Sequence, residues 1–214
     1  YHFHSRDFKF TENNKINLSY YYHKFFKPKF RFNGREYTYF CHQYNNSWKN
    51  ERTVEVPMIW DLINQSKGKD ILEVGNVLSH YFHVSHNILD KYEKGKNIIN
   101  QDVASFIPKQ KYDLIVSIST LEHIGWDEEP RKSKKVLEAF NNLKNHCLKS
   151  AGKMIITLPI GYNVYLDNLI NNKFMNCQEI TQHIKALSVN KKTFDEVLGK
   201  EVVDVTAVSS LKNE

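Results

Sequence analysis

From about residue 54 onward, short runs that are apolar throughout alternate with segments whose apolar positions recur every three or four residues. Val56, Ile59, Trp60 and Ile63 recur at helical spacing and predict a helix over 54–65, with Pro57 acceptable only in its first turn. The runs at 70–75, 87–90, 97–100, 112–118 and 153–158 predict five strands, the first closed by Gly75 and a turn into a helix. Between the last two, residues 133–148 place Val136, Leu137, Phe140, Leu143 and Leu148 on one helical face, with Gly152 just beyond as a stop. Strands with no polar face, separated by helices, belong to a parallel sheet covered on both sides. The expected architecture is therefore a doubly wound, mostly parallel α/β sheet, in which ligands bind beyond the carboxyl ends of the strands.

The first quarter reads differently. Phe30 to Phe32 and Arg35 to Phe40 alternate around Asn33-Gly34, a dipeptide suited to the two positive φ angles of a type I′ turn, and predict a hairpin. Tyr1 to Asn17 shows no clear period. Residues 1–53 carry 16 of the 28 aromatic residues, together with 10 Lys/Arg against 4 Asp/Glu, so the whole net charge of +6 lies there. That break divides the 214 residues into an N-terminal extension, 1–53, and a main domain, 54–214. Basic residues among aromatics can follow a phosphate backbone, stack on sugar rings, or bury in a partner subunit to make a homo-oligomer. The plainest reading is a small β element whose aromatics pack on the main domain, and a nucleic acid is not the expected partner.

Composition removes some classes. Mean hydropathy is −0.57 and no apolar run reaches 18 residues, so a membrane span is not expected. Cys41, Cys147 and Cys177 are odd in number and far apart, which suits neither a disulfide framework nor a Cys-x-x-Cys metal site, and points to a reducing, cytoplasmic setting. His80, His83 and His86 would not converge from one helix, so no metal site is expected.

The strongest chemical signal runs from Glu73 through Gly75 to His80. A dinucleotide fingerprint would need glycine at positions held here by Val77 and His80. What remains is one acid on the first strand, Glu73, one glycine, and two further acids, Asp90 and Asp102, at the ends of the next two strands. A carboxylate at Asp90 can accept both hydroxyls of a ribose, and one at Asp102 can receive an adenine amino group.

These stretches, with Tyr112 to Ser117, Leu121-Glu122-His123-Ile124 and Gly152 to Pro159, resemble the class I S-adenosylmethionine-dependent methyltransferases over residues 53–163. The resemblance implies S-adenosylmethionine as cofactor. It implies that Glu73 and Gly75, with Asn76 and Val77, line the methionine side, that Asp90 holds the ribose, and that Asp102 and Val103 face the adenine. Ser117, Ile118 and Ser119 would close over the sulfonium. The family sheet finishes with an antiparallel hairpin, of which only residues 201–209 show a convincing alternation here.

Methyl transfer to a hydroxyl requires alignment and removal of a proton. Glu122 and His123 are the candidates, the histidine ahead because an imidazole titrates near working pH. Trp126, Tyr162 and Asn163 are expected at the acceptor, while Asp127, Glu128 and Glu129 read as an acidic helix start. The expected activity is methylation of oxygen, ahead of nitrogen, on a small-molecule or glycan acceptor. The alternative is a silent methyltransferase-like module that binds a partner through its basic, aromatic N-terminus.

Overall fold

The computed structural model describes residues 18–172, 179–181 and 208–211; Tyr1 to Asn17, Cys177 and most of the expected strand at 201–209 lie outside them. A helix α1 (Leu18–Phe26) leads into a hairpin, β1 (Lys29–Phe32) and β2 (Arg35–Thr38), and then α2 (Arg52–Gln65). The main sheet takes β3 (Ile71–Val74), β4 (Asn87–Leu89), β5 (Ile98–Ile99), β6 (Tyr112–Ile118), β7 (Leu148–Thr157), β8 (Glu179–Thr181) and β9 (Val208–Leu211). Helix α3 (Lys135–Asn142) precedes β7, and α4 (Val164–Asn171) follows it.

The seven strands lie in the order β5-β4-β3-β6-β7-β9-β8. The first five run parallel, and β9 pairs antiparallel with both β7 and β8. This is the doubly wound α/β sheet that the apolar runs predict, and it ends in an antiparallel pair. The chain leaves β3 toward β4 on one side and pairs β3 with β6 on the other, so the switch point lies between the carboxyl ends of β3 and β6.

Alternate residues of the strands fill two cores. Leu114, Val116 and Ile118 pack with Val56, Ile59 and Ile63 of α2, while Leu72, Val74 and Ile115 pack with Val136, Phe140 and Leu166 from α3 and α4. In the hairpin, Asn33 and Gly34 take φ of 46° and 75°, as the type I′ turn requires. Phe30 and Phe32 of β1 are buried against Val54 and Met58 of α2, and Arg35 pairs with Asp61 at 2.9 Å.

Three elements depart from expectation. Helix α2 starts two residues earlier, so Pro57 lies in its second turn; the Thr53 carbonyl, deprived of the Pro57 N–H, accepts instead from the Phe40 amide at 2.7 Å. No helix follows Gly75: the segment makes one tight turn, Leu78–His80, so the three histidines are not on a helix. The expected helix over 133–148 ends at Asn142 and continues as a wide turn, Leu143–Cys147, while β7 starts at Leu148 because Tyr112 pairs with it before an irregularity resumes the register at Lys153.

Candidate active site

The turn after β3 is shaped by two carboxylates. Glu73 is fully buried; its Oε1 accepts from the amides of Val77 and Leu78 at 2.9 and 2.8 Å, and its Oε2 meets His86 Nε2 at 2.7 Å. Asp90 Oδ2 accepts from the Asn76 amide at 3.0 Å, and its Oδ1 from the amides of Tyr92 and Glu93. Backbone N–H groups at such a turn would otherwise be offered to an anion. Here they are already satisfied by negative charge. The sequence gives no sign of His86 in this role, because its partner lies within β3, 13 residues earlier.

Gly75 has φ +86°, and a Cβ there would lie 2.2 Å from Thr120 Oγ1. Thr120, unnoticed in the sequence, is held by its own bond to the Ile118 carbonyl at 2.9 Å. Ser119, one residue past β6, is buried with φ +39°, a left-handed conformation that costs a non-glycine residue about 1–3 kcal/mol. Its hydroxyl sits 2.8 Å from both oxygens of Glu55. Ser117 bonds the Val74 carbonyl, and Ile118 is wholly within the core beside α2.

Glu55 and Arg52, absent from the sequence-based candidates, enter the site because the first turn of α2 lies over this strand end. Burial pushes the Glu55 carboxyl up to about 7. Arg52 directs Nη2 at the Ser119 carbonyl, 3.4 Å away. Glu122 is buried, and neither of its oxygens has a hydrogen-bond partner among the described residues. Burial, and the nearby Glu55, hold its carboxyl well above the usual range.

The neighbouring loops assemble a second group. His123 Nδ1 meets Asp127 Oδ2 at 2.5 Å, and the Tyr162 hydroxyl donates to the same oxygen at 2.7 Å. The rings of His123 and Tyr162 cross edge to face at 4.8 Å. Burial opposes ionisation of Asp127, but the bonds from Tyr162 and His123 outweigh it and keep its carboxyl below the usual range.

Asp127 therefore belongs to this group rather than to a helix start, and Glu128 pairs with Lys91 and Lys135; α3 begins only at Lys135. Asp102 is drawn into that charge cluster, with Lys135 Nζ at 2.5 Å and Lys91 Nζ at 3.1 Å. Val103 is buried in the core. Asn163 caps α4, accepting from the Leu166 amide and donating to the Glu122 carbonyl at 2.8 Å, so it braces the Glu122 segment. Trp126 stacks under the Arg131 guanidinium at 4.3 Å. A cleft of about 570 Å³ lies at the opposite, amino end of the strands, lined by Lys67, Asp70, His83 and Tyr112 among others.

No family model matches the sequence, and no curated protein matches it. Among solved structures, the chain is similar to the N-methyltransferase NodS from Bradyrhizobium japonicum WM9 in complex with S-adenosyl-L-homocysteine. That match has 12% identity and a TM-score of 0.48, and covers 76% of this chain and 87% of that one. An rRNA methylase from Escherichia coli matches at 13% identity and TM-score 0.43, over 77% of this chain and 65% of that one. The glycopeptide N-methyltransferase MtfA matches at 10% identity and TM-score 0.43, over 72% and 89%. Likeness at this level decides neither activity nor acceptor. No helix among the described residues is long and apolar enough to cross a membrane.

Proposed function

We propose that the chain is an S-adenosylmethionine-dependent methyltransferase that methylates oxygen, ahead of nitrogen, on a small-molecule or sugar-containing acceptor. The observation that carries this reading is the turn after β3, whose amides at Asn76, Val77 and Leu78 are taken up by Asp90 and Glu73. A dinucleotide needs those amides for its pyrophosphate. A phosphate-free nucleoside carrying positive charge does not, and it benefits from the two carboxylates and from the buried acids nearby.

The residues present fit that cofactor. Gly75 and Asn76 would hold its methionine side together with Ser119, and Asp90 has acceptor capacity left for a ribose beside its three amide bonds, whereas both oxygens of Asp102, expected at the adenine, are engaged by Lys91, Lys135 and the Ala104 amide. When bound, the cofactor supplies an electrophilic methyl group on sulfonium. His123 takes the proton of the acceptor hydroxyl, and Asp127 fixes the ring and stabilises the imidazolium that forms. Tyr162 and Trp126 flank the acceptor, while Glu122 lies on the other side of the histidine, Oε1 3.7 Å from Nε2.

Calorimetric titration with S-adenosylhomocysteine tests the reading. Binding is expected, with Asp90→Ala weakening it by about 2–4 kcal/mol through loss of the ribose contact and of the turn it supports. No binding at millimolar ligand would leave a partner-binding module as the better account.

A further inference from the structure

Two carboxyl groups at the switch point lack the donors that buried charge requires. Glu122 is 1% exposed with neither oxygen hydrogen bonded among the described residues, and Glu55, also 1% exposed, has two hydroxyls beside it, that of Ser119 shared between its oxygens and that of Thr157, but no cationic donor bonded to it. Arg52 and Glu51 from the start of α2 face both acids, Tyr81 faces Glu55, and His123 lies beside Glu122. Arg52 does not settle the balance: its Nη2 points at the Ser119 carbonyl and its Nε is buried with no partner.

Two buried carboxyls that repel one another do not both carry charge, so one keeps its proton, and an unpartnered acid remains costly. A ligand ammonium answers both needs, since it brings three N–H donors and the positive charge that lets the second carboxyl ionise. We propose that Glu55 and Glu122 form a proton-exchanging site for the ammonium group of a ligand. On entry, the carboxylic acid of the pair gives its proton to solvent and becomes the carboxylate partner of the incoming cation. Burial pushes Glu55 up to about 7, which puts this exchange near neutrality. The inference rests on the function proposed above, and the ammonium belongs either to the amino-acid end of the cofactor or to an amine of the acceptor.

The test is calorimetry near neutral pH in two buffers of different ionisation enthalpy, which counts protons released on binding. S-Adenosylhomocysteine, which carries the ammonium, is compared with 5′-methylthioadenosine, which lacks it. If the cofactor is the source, the first releases roughly one proton and the second none. Glu122→Gln and Glu55→Gln then remove the release and cut the preference for S-adenosylhomocysteine about tenfold or more. Their unchanged affinity for 5′-methylthioadenosine shows that the fold is intact.

If S-adenosylhomocysteine releases none, methylammonium chloride is added to its complex; release there, lost in Glu122→Gln, assigns the site to the acceptor. Binding of S-adenosylhomocysteine with no proton release from either probe, and the same preference in both variants, overturns the inference and leaves the methyltransferase reading standing. Absence of any binding overturns both.

Discussion

The Phe40 amide donates to the Thr53 carbonyl at 2.7 Å, and the Thr53 hydroxyl returns a bond to the Phe40 carbonyl at 2.9 Å. This reciprocal pair occupies the gap left in α2 by Pro57, whose ring nitrogen has no hydrogen to give. It ties the aromatic N-terminal segment to α2 immediately beside Arg52 and Glu55. Thr53 is wholly buried and Phe40 half-buried, so the joint is shielded from solvent on the α2 side.

Thr53→Val keeps the shape and removes the hydroxyl, leaving the Phe40 carbonyl without its donor. A loss of about 1–2 kcal/mol in chemical denaturation is expected. Unchanged stability would mean that the joint contributes nothing to holding the N-terminal segment.

Gly75→Ala combines a left-handed φ with a Cβ placed against Thr120 Oγ1. Cofactor affinity should fall at least about tenfold, and Thr120→Ala in the same chain should recover part of it while leaving the backbone strain of about 1–2 kcal/mol. Titration of the two single variants and the double variant gives the coupling. Additive effects would show that Thr120 is not what excludes a side chain at Gly75.

For a hydroxyl acceptor, His123→Ala should lower turnover by about 10²-fold to 10⁴-fold with little change in cofactor affinity. Asp127→Asn should lower kcat as well, because the amide neither stabilises the imidazolium nor fixes the same tautomer. Full turnover in both variants would remove the histidine from proton transfer.

Glu55 also links stability to pH. Its folded value of about 7 lies above the ordinary 4.5, so the folded protein holds the proton more tightly than the unfolded chain does. The contribution is complete below the unfolded value and is lost as pH rises through about 7, a change of about 3 kcal/mol. Denaturation curves of the parent and Glu55→Gln, compared at acid and mildly alkaline pH, should diverge by that amount. Parallel curves would mean that the carboxyl is charged and satisfied in the folded state.

The sequence by itself determined the sheet. Runs such as Leu114-Ile115-Val116, apolar on both faces, can be covered only between two helical layers, and Asn33-Gly34 carries its turn in its own backbone preferences. It also marked Gly75, Asp90 and His123, because strand ends followed by glycine, acid or histidine stand out locally. Tertiary structure alone decided the company these residues keep. Glu55 reads as one polar position on a helix until α2 lies across the end of β6; Asp127 reads as a helix start until the chain turns it toward His123 and Tyr162; His86 reads as part of a histidine series until it reaches Glu73. Periodicity records which face of an element is buried, but a hydrogen bond between side chains on separate elements depends on how those elements pack, and no local pattern encodes that.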